Sequence, residues 1–373
     1  MRIDKQPGPA RESEGVQLGW QYRWYRNWTA VWSDLETEWR LMQCEAPSSN
    51  PYHMPEFIRA WSRTIGARDA VTPLVGVFRH RLGHRVLLPW VVVRHEGRFV
   101  ERRILEFAGR ELAGYQAPLI VPEKGEAIDF DELWRAVQLA TEGECDQGLM
   151  RYLLTDVAPS WARPMGDATP VVDLTPVSSL DELLSRCSQN HRGDVRRRIR
   201  RLQERGDVEF RVASSTDAAA VTSDLRERFV VQHAILCREK GYSDPFAGPE
   251  AVSFLDSLFA SGLADAFSFY GSLRLGGESI AWILGLVHRK ELYWWRPAYH
   301  SEWKDLSPGK VLLASTLEHA ISRGWKKLHF HAGSQPYKLA WRPDLPSTSS
   351  LSWYPPGVRS STLSWYDRLA GTR

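Results

Sequence analysis

The sequence predicts a mixed α/β fold in which one set of elements occurs twice along the chain. Three observations predict it. The same order of strand-like and helix-like segments, β–α–α–β–β–β–α–β, recurs in each half. A stretch from Pro164 to Pro176 with three prolines separates the halves. The 373 residues exceed one typical domain. The order defines a leader over 1–20, a first domain over 21–175, a second over 176–356 and a tail over 357–373. Identity between the halves is low, so the competing organisation is one irregular α+β domain.

Each element follows from its local pattern. In the first half "QYRWYRNW" (21–28) alternates as a strand does. "SDLETEWRLMQCEA" (33–46) and "PEFIRAWSRTIG" (55–66) read as helices opened by Ser and Pro. Strand-like runs follow near 71–79, 85–94 and 100–108, then a helix near 130–142 and a strand over 149–157. The second half repeats this with "VEFRVAS" (208–214) and a long helix over 216–241 capped by Thr216 or Asp217. A second helix over 248–262 comes next. Three strands over 265–277, 278–290 and 291–299 turn at Gly276-Gly277 and Arg289-Lys290. The half closes with the helix "SPGKVLLASTLEHAISRG", the strand "KKLHFHAG", the short helix "QPYKLAW" and a strand near "SLSWYPP".

Composition narrows the functional classes. With 43% apolar and 25% charged residues the chain buries a substantial core. Seventeen tryptophans argue for aromatic-rich sheets or a groove. A net charge of +3 excludes a protein devoted wholly to polyanions. Cys44, Cys145, Cys187 and Cys237 are scattered without CxxC spacing, which points to reduced thiols and the cytoplasm rather than a disulfide framework or a zinc site. The longest apolar run, Val86 to Val93, is too short to span a bilayer.

Chemistry concentrates in "WKDLSPGKVLLASTLEHA" (303–320), directly after a strand. Ser307, Pro308 and Gly309 form a tight turn, and Val311, Leu312, Leu313, Leu317 and Ala320 continue at helical spacing. The unpaired N–H groups at such a helix start, with the positive end of its dipole, favour phosphate. An ordinary turn in which Pro and Gly serve geometry alone is the other reading. "LHFHAGSQPYKLAW" (328–341) follows as strand, loop and short helix. His329 and His331 alternate along that strand and so share a face, with Phe330 opposite.

In "RPAYHSEWKDLSPGKVLL" followed by "YKLAW", with "NPYHMPEFIRAW" and "RRRIRRLQERGDVEF" upstream, the chain resembles the GNAT superfamily of N-acyltransferases, in its tandem CelD-like and FemABX-like branch. The resemblance spans about residues 21–356. It implies a duplicated GNAT fold with acyl-CoA, the acyl donor, held by the second half. Lys304, Ser307 and Gly309 stand at the superfamily's Arg/Gln-x-x-Gly-x-Gly/Ala pyrophosphate loop, so Lys304, Ser307, Pro308, Gly309, Lys310 and Val311 are the expected donor-binding segment. Lys304 and Ser307 depart from that pattern. The matching helix of the first half, "EAIDFDELWRAV", carries acids and no glycine loop, which implies a support or acceptor platform.

Acyl transfer needs an amine held against the carbonyl, donors for the oxyanion and a proton for the leaving group. The resemblance places Tyr337 where many GNAT enzymes keep the residue that protonates the departing thiolate; core packing is the competing role. Lys338 is a candidate for holding a substrate by charge or an ordinary surface lysine. His331 is a candidate to take the amine's proton. Trp295 and Arg296, in "YWWRPAY", face the groove, with Trp294 and Trp295 on opposite sides of the sheet. No further ligands flank the histidines, so no metal is expected.

The segment 189–207 holds seven arginines. Val195, Ile199 and Leu202 make one apolar stripe, so the helix docks by that face and wears its arginines outside. Arg192 is the candidate for an auxiliary anion contact. An amine of a small molecule, amino sugar or peptide is the expected acceptor. The alternatives are an aminoacyl-tRNA-dependent transferase of FemABX type and a non-catalytic GNAT scaffold in polysaccharide assembly.

Overall fold

The computed structural model describes residues 13–96, 101–262 and 267–369. The chain divides into two units: residues up to 165 together with 349 onward, and residues 166–348. Strands fall where alternating and β-branched runs predict them. In the first unit these are β1 (Ser13–Gln17), β2 (Trp20–Tyr25), β3 (Thr72–His80), β4 (Arg85–His95), β5 (Arg102–Phe107), β6 (Leu119–Val121), β7 (Gln147–Leu154) and β8 (Arg163–Pro164). The second unit has β9 (Val171–Asp173), β10 (Val208–Val212), β11 (Ser268–Leu275), β12 (Glu278–His288), β13 (Glu291–Tyr299) and β14 (Lys327–His329). A last strand, β15 (Thr348–Trp353), follows.

Both sheets are mixed and share one plan. The first runs β1-β2-β3-β4-β5-β7-β15-β8, with β6 on β4. The second runs β10-β11-β12-β13-β14-β9. In each, an antiparallel meander meets one parallel pair, β5 with β7 or β13 with β14, and a helix precedes the parallel strand. Those helices, Phe130–Ala140 and Pro308–Ser322, supply the crossover that parallel pairing requires.

Three boundaries differ from the sequence expectation. The end of the leader is ordered: Ser13–Gln17 pairs antiparallel with β2, the alternation "SEGVQ" being enough for an edge strand, while residues 1–12 lie outside the described residues. The units part at Met165/Gly166 rather than near 175, because Val171–Asp173 pairs with β14. Residues 349–356 and the described part of the 357–373 tail belong to the first unit. There Trp353 is buried against Trp90 and Trp134, and the helix Val358–Leu369 brings Asp367 to a bidentate pair with Arg102 at 2.7 Å.

Six tryptophans of the first unit are fully buried in its core. Trp20, Trp24, Trp39, Trp61, Trp90 and Trp134 are each no more than 1% exposed. Several indole N–H groups find carbonyls, Trp24 at Ala140 (3.0 Å), Trp39 at His53 (2.7 Å) and Trp134 at Val157 (3.0 Å), as buried indoles require. In the second unit the helices Gln189–Gln203 and Pro308–Ser322 bury Val195, Leu202, Leu312 and Leu317 in one core with Leu273 and Leu328. The stripe that the sequence marks on the arginine helix is therefore its docking face.

Candidate active site

The helix Pro308–Ser322 begins at Ser307, which adopts a left-handed conformation (φ 54°, ψ 52°) with no side-chain cap. The turn's special backbone thus falls on Ser307. Gly309 lies inside the first helical turn, where an added Cβ would meet Tyr299 at an ordinary 3.5 Å. Lys304, Ser307, Pro308, Gly309 and Lys310 line a cavity of about 500 Å³ with Val195, Leu236, Leu313, Tyr299 and Trp341. Apolar walls and a lysine-bearing mouth at a helix start suit a ligand with an oily body and an anionic end. Val311 does not join this wall: its side chain is buried in the core.

Lys310 is held at the mouth by Asp194 of the arginine helix, Nζ to Oδ2 2.7 Å. The Lys310 hydrogen bond leads the causes that keep the Asp194 carboxyl below the usual carboxylate range, with Arg198 and Arg197 assisting. Of the other arginines, Arg196 pairs with Asp181 (2.8 Å) and Arg200 with Glu204 (3.8 Å). Arg192 donates to the Ser185 carbonyl at 3.1 Å and lines neither cavity of the site.

A second cavity, about 280 Å³, lies alongside. His233, Cys237, Trp295, Arg296, His331, Gln335 and Lys338 line it, and Lys240, Trp294, Pro297 and Tyr337 line both. The pairing of β12 with β13 steps here from Leu284 opposite Arg296 to Gly285 opposite Trp294, leaving Trp295 as the extra residue of a bulge. Bulges re-aim side chains. Trp294 joins the core with the helix Pro308–Ser322, whereas Trp295 packs edge-on against Phe246 and Phe254. The Arg296 guanidinium stands 5.5 Å from the Trp295 ring.

Tyr337 sits at the junction. The residue is 39% exposed, and burial around its hydroxyl pushes the pKa up to about 12 against the opposing pull of the Trp294 indole. Trp294 is 3% exposed, and its indole N–H, which makes no hydrogen bond of ordinary geometry, is close enough to the Tyr337 hydroxyl to act on it.

The histidine pair differs from the expected strand alternation. β14 ends at His329, and His331 takes a left-handed backbone (φ 57°). His329 stacks on Tyr293 at 4.2 Å and pairs with Glu291 at 2.9 Å, a structural arrangement. His331 lines the second cavity. Burial, then Arg296, His329 and Lys338, hold its pKa well below 6.5, so the imidazole is neutral and weakly basic. Lys338 is buried, 5% exposed, which excludes the surface-lysine role. Its Nζ donates to the carbonyls of Ala332 (2.9 Å) and His331 (3.3 Å), and burial brings its pKa down to about 8.

One group escaped the sequence reading. On the helix Val230–Glu239, His233 and Cys237 stand one turn apart, Sγ to Nδ1 3.6 Å, and Asp244 reaches the same Nδ1 at 2.9 Å. The i, i+4 spacing in "HAILC" was the available signal; the return of Asp244 eleven residues later carried none.

Residues 189–339 match the family model described as an acetyltransferase (GNAT) domain. No curated protein matches the sequence. Among solved structures, FemX is similar at 9% identity, covering 88% of this chain and 98% of that one with a TM-score of 0.58. The C-terminal domain (DUF2156) of a provisionally named lysylphosphatidylglycerol synthetase from Agrobacterium fabrum is similar at 13% identity. It covers 90% of this chain and 95% of that one, with a TM-score of 0.52. At these identities the likeness is one of fold.

Proposed function

This chain carries a GNAT acyltransferase domain over residues 189–339, and from that premise we propose that it transfers an acyl group from acyl-CoA to the amine of a small molecule, amino sugar or peptide. The observation that carries the reading is the pair of cavities meeting at Trp294 and Tyr337. The first suits acyl-CoA: Lys304, Lys310 and the helix start at Pro308 meet phosphate, and the apolar walls take the pantetheine arm. The second, polar and lined by histidines, suits the acceptor.

The amine nitrogen attacks the thioester carbonyl, a C–N bond forms, the C–S bond breaks and the thiolate departs. Tyr337, kept protonated by its raised pKa, donates a hydrogen bond to that sulfur. The Trp294 N–H is a donor for the carbonyl oxygen as it gains charge. Trp295 and Arg296 shape the acceptor side, and Lys338 fixes the backbone that carries His331. An aminoacyl-tRNA donor finds less support, because much of the arginine helix pairs with its own acids.

Calorimetry with CoA tests the donor site. Gly309→Glu puts a carboxylate among Lys304 and Lys310 and should weaken CoA binding at least about tenfold, a change of ~1.4 kcal/mol. Gly309→Ala, whose Cβ makes an ordinary contact, should bind as wild type. Equal CoA affinity in wild type and Gly309→Glu would remove the assignment.

A further inference from the structure

We propose that His233, oriented by Asp244, is the base that takes the proton from the acceptor amine; this rests on the acyltransfer reading above and adds the group that completes it. Asp244 Oδ1 accepts from the ring at Nδ1 (2.9 Å) and is itself held by the Phe246 backbone N–H at 3.0 Å. The imidazole packs against both Phe229 and Phe246, with ring centroids 5.5 and 5.0 Å away. Position and tautomer are therefore both set: with the proton on Nδ1, Nε2 is the basic ring nitrogen, and His233 lines the second cavity. A carboxylate behind an imidazole is the usual way to orient such a base.

The neighbouring charges favour His233 over His331. Around His233 stand Asp244 from the following loop, Cys237 and Lys240 from its own helix, and Arg296 from β13. Across the cavity are Tyr242, Tyr337, His331 and Lys338. Burial lowers the His233 pKa first, Asp244 opposes the fall, and Arg296 and Lys240 add to it. For His331 burial leads and Arg296, His329 and Lys338 add to the fall, which takes its pKa well below 6.5. Both rings are neutral near pH 7, and His233 is the stronger base of the two.

The step balances. As the amine attacks the thioester, its proton passes to Nε2 of His233 and the electron pair of the C–S bond leaves on sulfur. The products are an amide and a thiol, and the imidazolium returns its proton to water. Cys237 stays a thiol, its pKa raised by burial and by Asp244.

Three readouts on the full chain decide. Nitrogen NMR of the histidines should show His233 as the Nδ1–H tautomer, titrating below 6.5, and titrating lower still in Asp244→Asn. An Nε2–H tautomer overturns the proposal whatever the donor is. With acetyl-CoA and primary amines, His233→Gln should lose about 100- to 10,000-fold in thiol release. CoA affinity should remain unchanged, and the acid limb of the pH profile should move down in Asp244→Asn. Full activity of His233→Gln overturns the proposal, as does stoichiometric zinc on His233, Cys237 and Asp244 in the purified chain. Wild-type protein that binds no acetyl-CoA removes the acyl-CoA reading instead, and the NMR result still judges the dyad.

Discussion

Lys338 offers a quantitative test because its burial has a signed consequence. Its pKa falls from 10.5 to about 8 when the second unit folds around it. Between those values the unfolded chain holds a proton that the folded chain does not, so stability rises with pH across that window. From pH 7 to pH 10 the linkage amounts to about 2.5 kcal/mol, since a tenfold difference in proton affinity is worth ~1.4 kcal/mol and both ends of the window titrate partly. Lys338→Met keeps the stem and removes the charge, so the variant lacks this slope. Urea unfolding of both proteins at pH 7 and pH 10, followed by tryptophan fluorescence, isolates the difference while other titrating groups cancel. With an m-value of about 2–3 kcal/mol per molar, the wild-type midpoint should gain on the variant by roughly 1 M over that range. At pH 7 the variant loses the bonds to Ala332 and His331 but is relieved of a buried charge, so the slope and not the offset carries the reasoning. Parallel pH dependences would refute it and would mean the ammonium reaches water.

Two further outcomes follow from the site. Tyr337→Phe keeps the ring and deletes one hydrogen bond to a developing thiolate. Such bonds are worth about 1.5–3 kcal/mol, so kcat should fall about 10- to 150-fold with Tm unchanged; retained kcat would assign Tyr337 to packing alone. Asp194→Asn should destabilise by up to about 1 kcal/mol at pH 7, as a partly exposed pair does. A depressed carboxylate gives its stability above the unfolded pKa and loses it as pH falls through the folded one. The two proteins should therefore converge in acid, and a gap that persists at pH 2 would sink the Lys310 pairing.

How much was legible depended on whether the information was local. The stripe of Val195 and Leu202, the antiparallel meander from Ser268 to Tyr299 and the helix start after Leu306 all write their periods into neighbouring residues. Long-range partners do not. Lys310 meets Asp194 across 116 positions, and Asp244 returns to His233 through a loop with no periodicity. His331 read as a strand residue because "KLHFH" alternates, but β14 needs only three residues to pair with β13 and β9. By sequence Trp353 falls to the second domain and Asp367 to a separate tail because proximity in sequence stands in for proximity in space, whereas both belong to the first unit. Lys338 looked like a surface lysine because its sequence says nothing of the two carbonyls that take its protons.

The helix start proposed above as the donor site has a counterpart in the first unit with different chemistry. Both precede their parallel strand with a helix whose first N–H groups need acceptors. In the first unit Asp129 supplies one, its Oδ1 accepting from Glu132 N at 3.0 Å, with Asp131 and Glu132 adding negative charge in the first turn. An anion arriving there meets carboxylates and a capped end. In the second unit Ser307 turns left-handed with its side chain uninvolved in capping, the first turn carries Lys310 and no acid, and a cavity opens in front. A side chain provides an acceptor at the start of the helix in the first unit, and none caps the start in the second. On the donor-site reading proposed above, a helix start capped by a carboxylate in the first unit has as its counterpart in the second a start without a side-chain cap, where phosphate would be received.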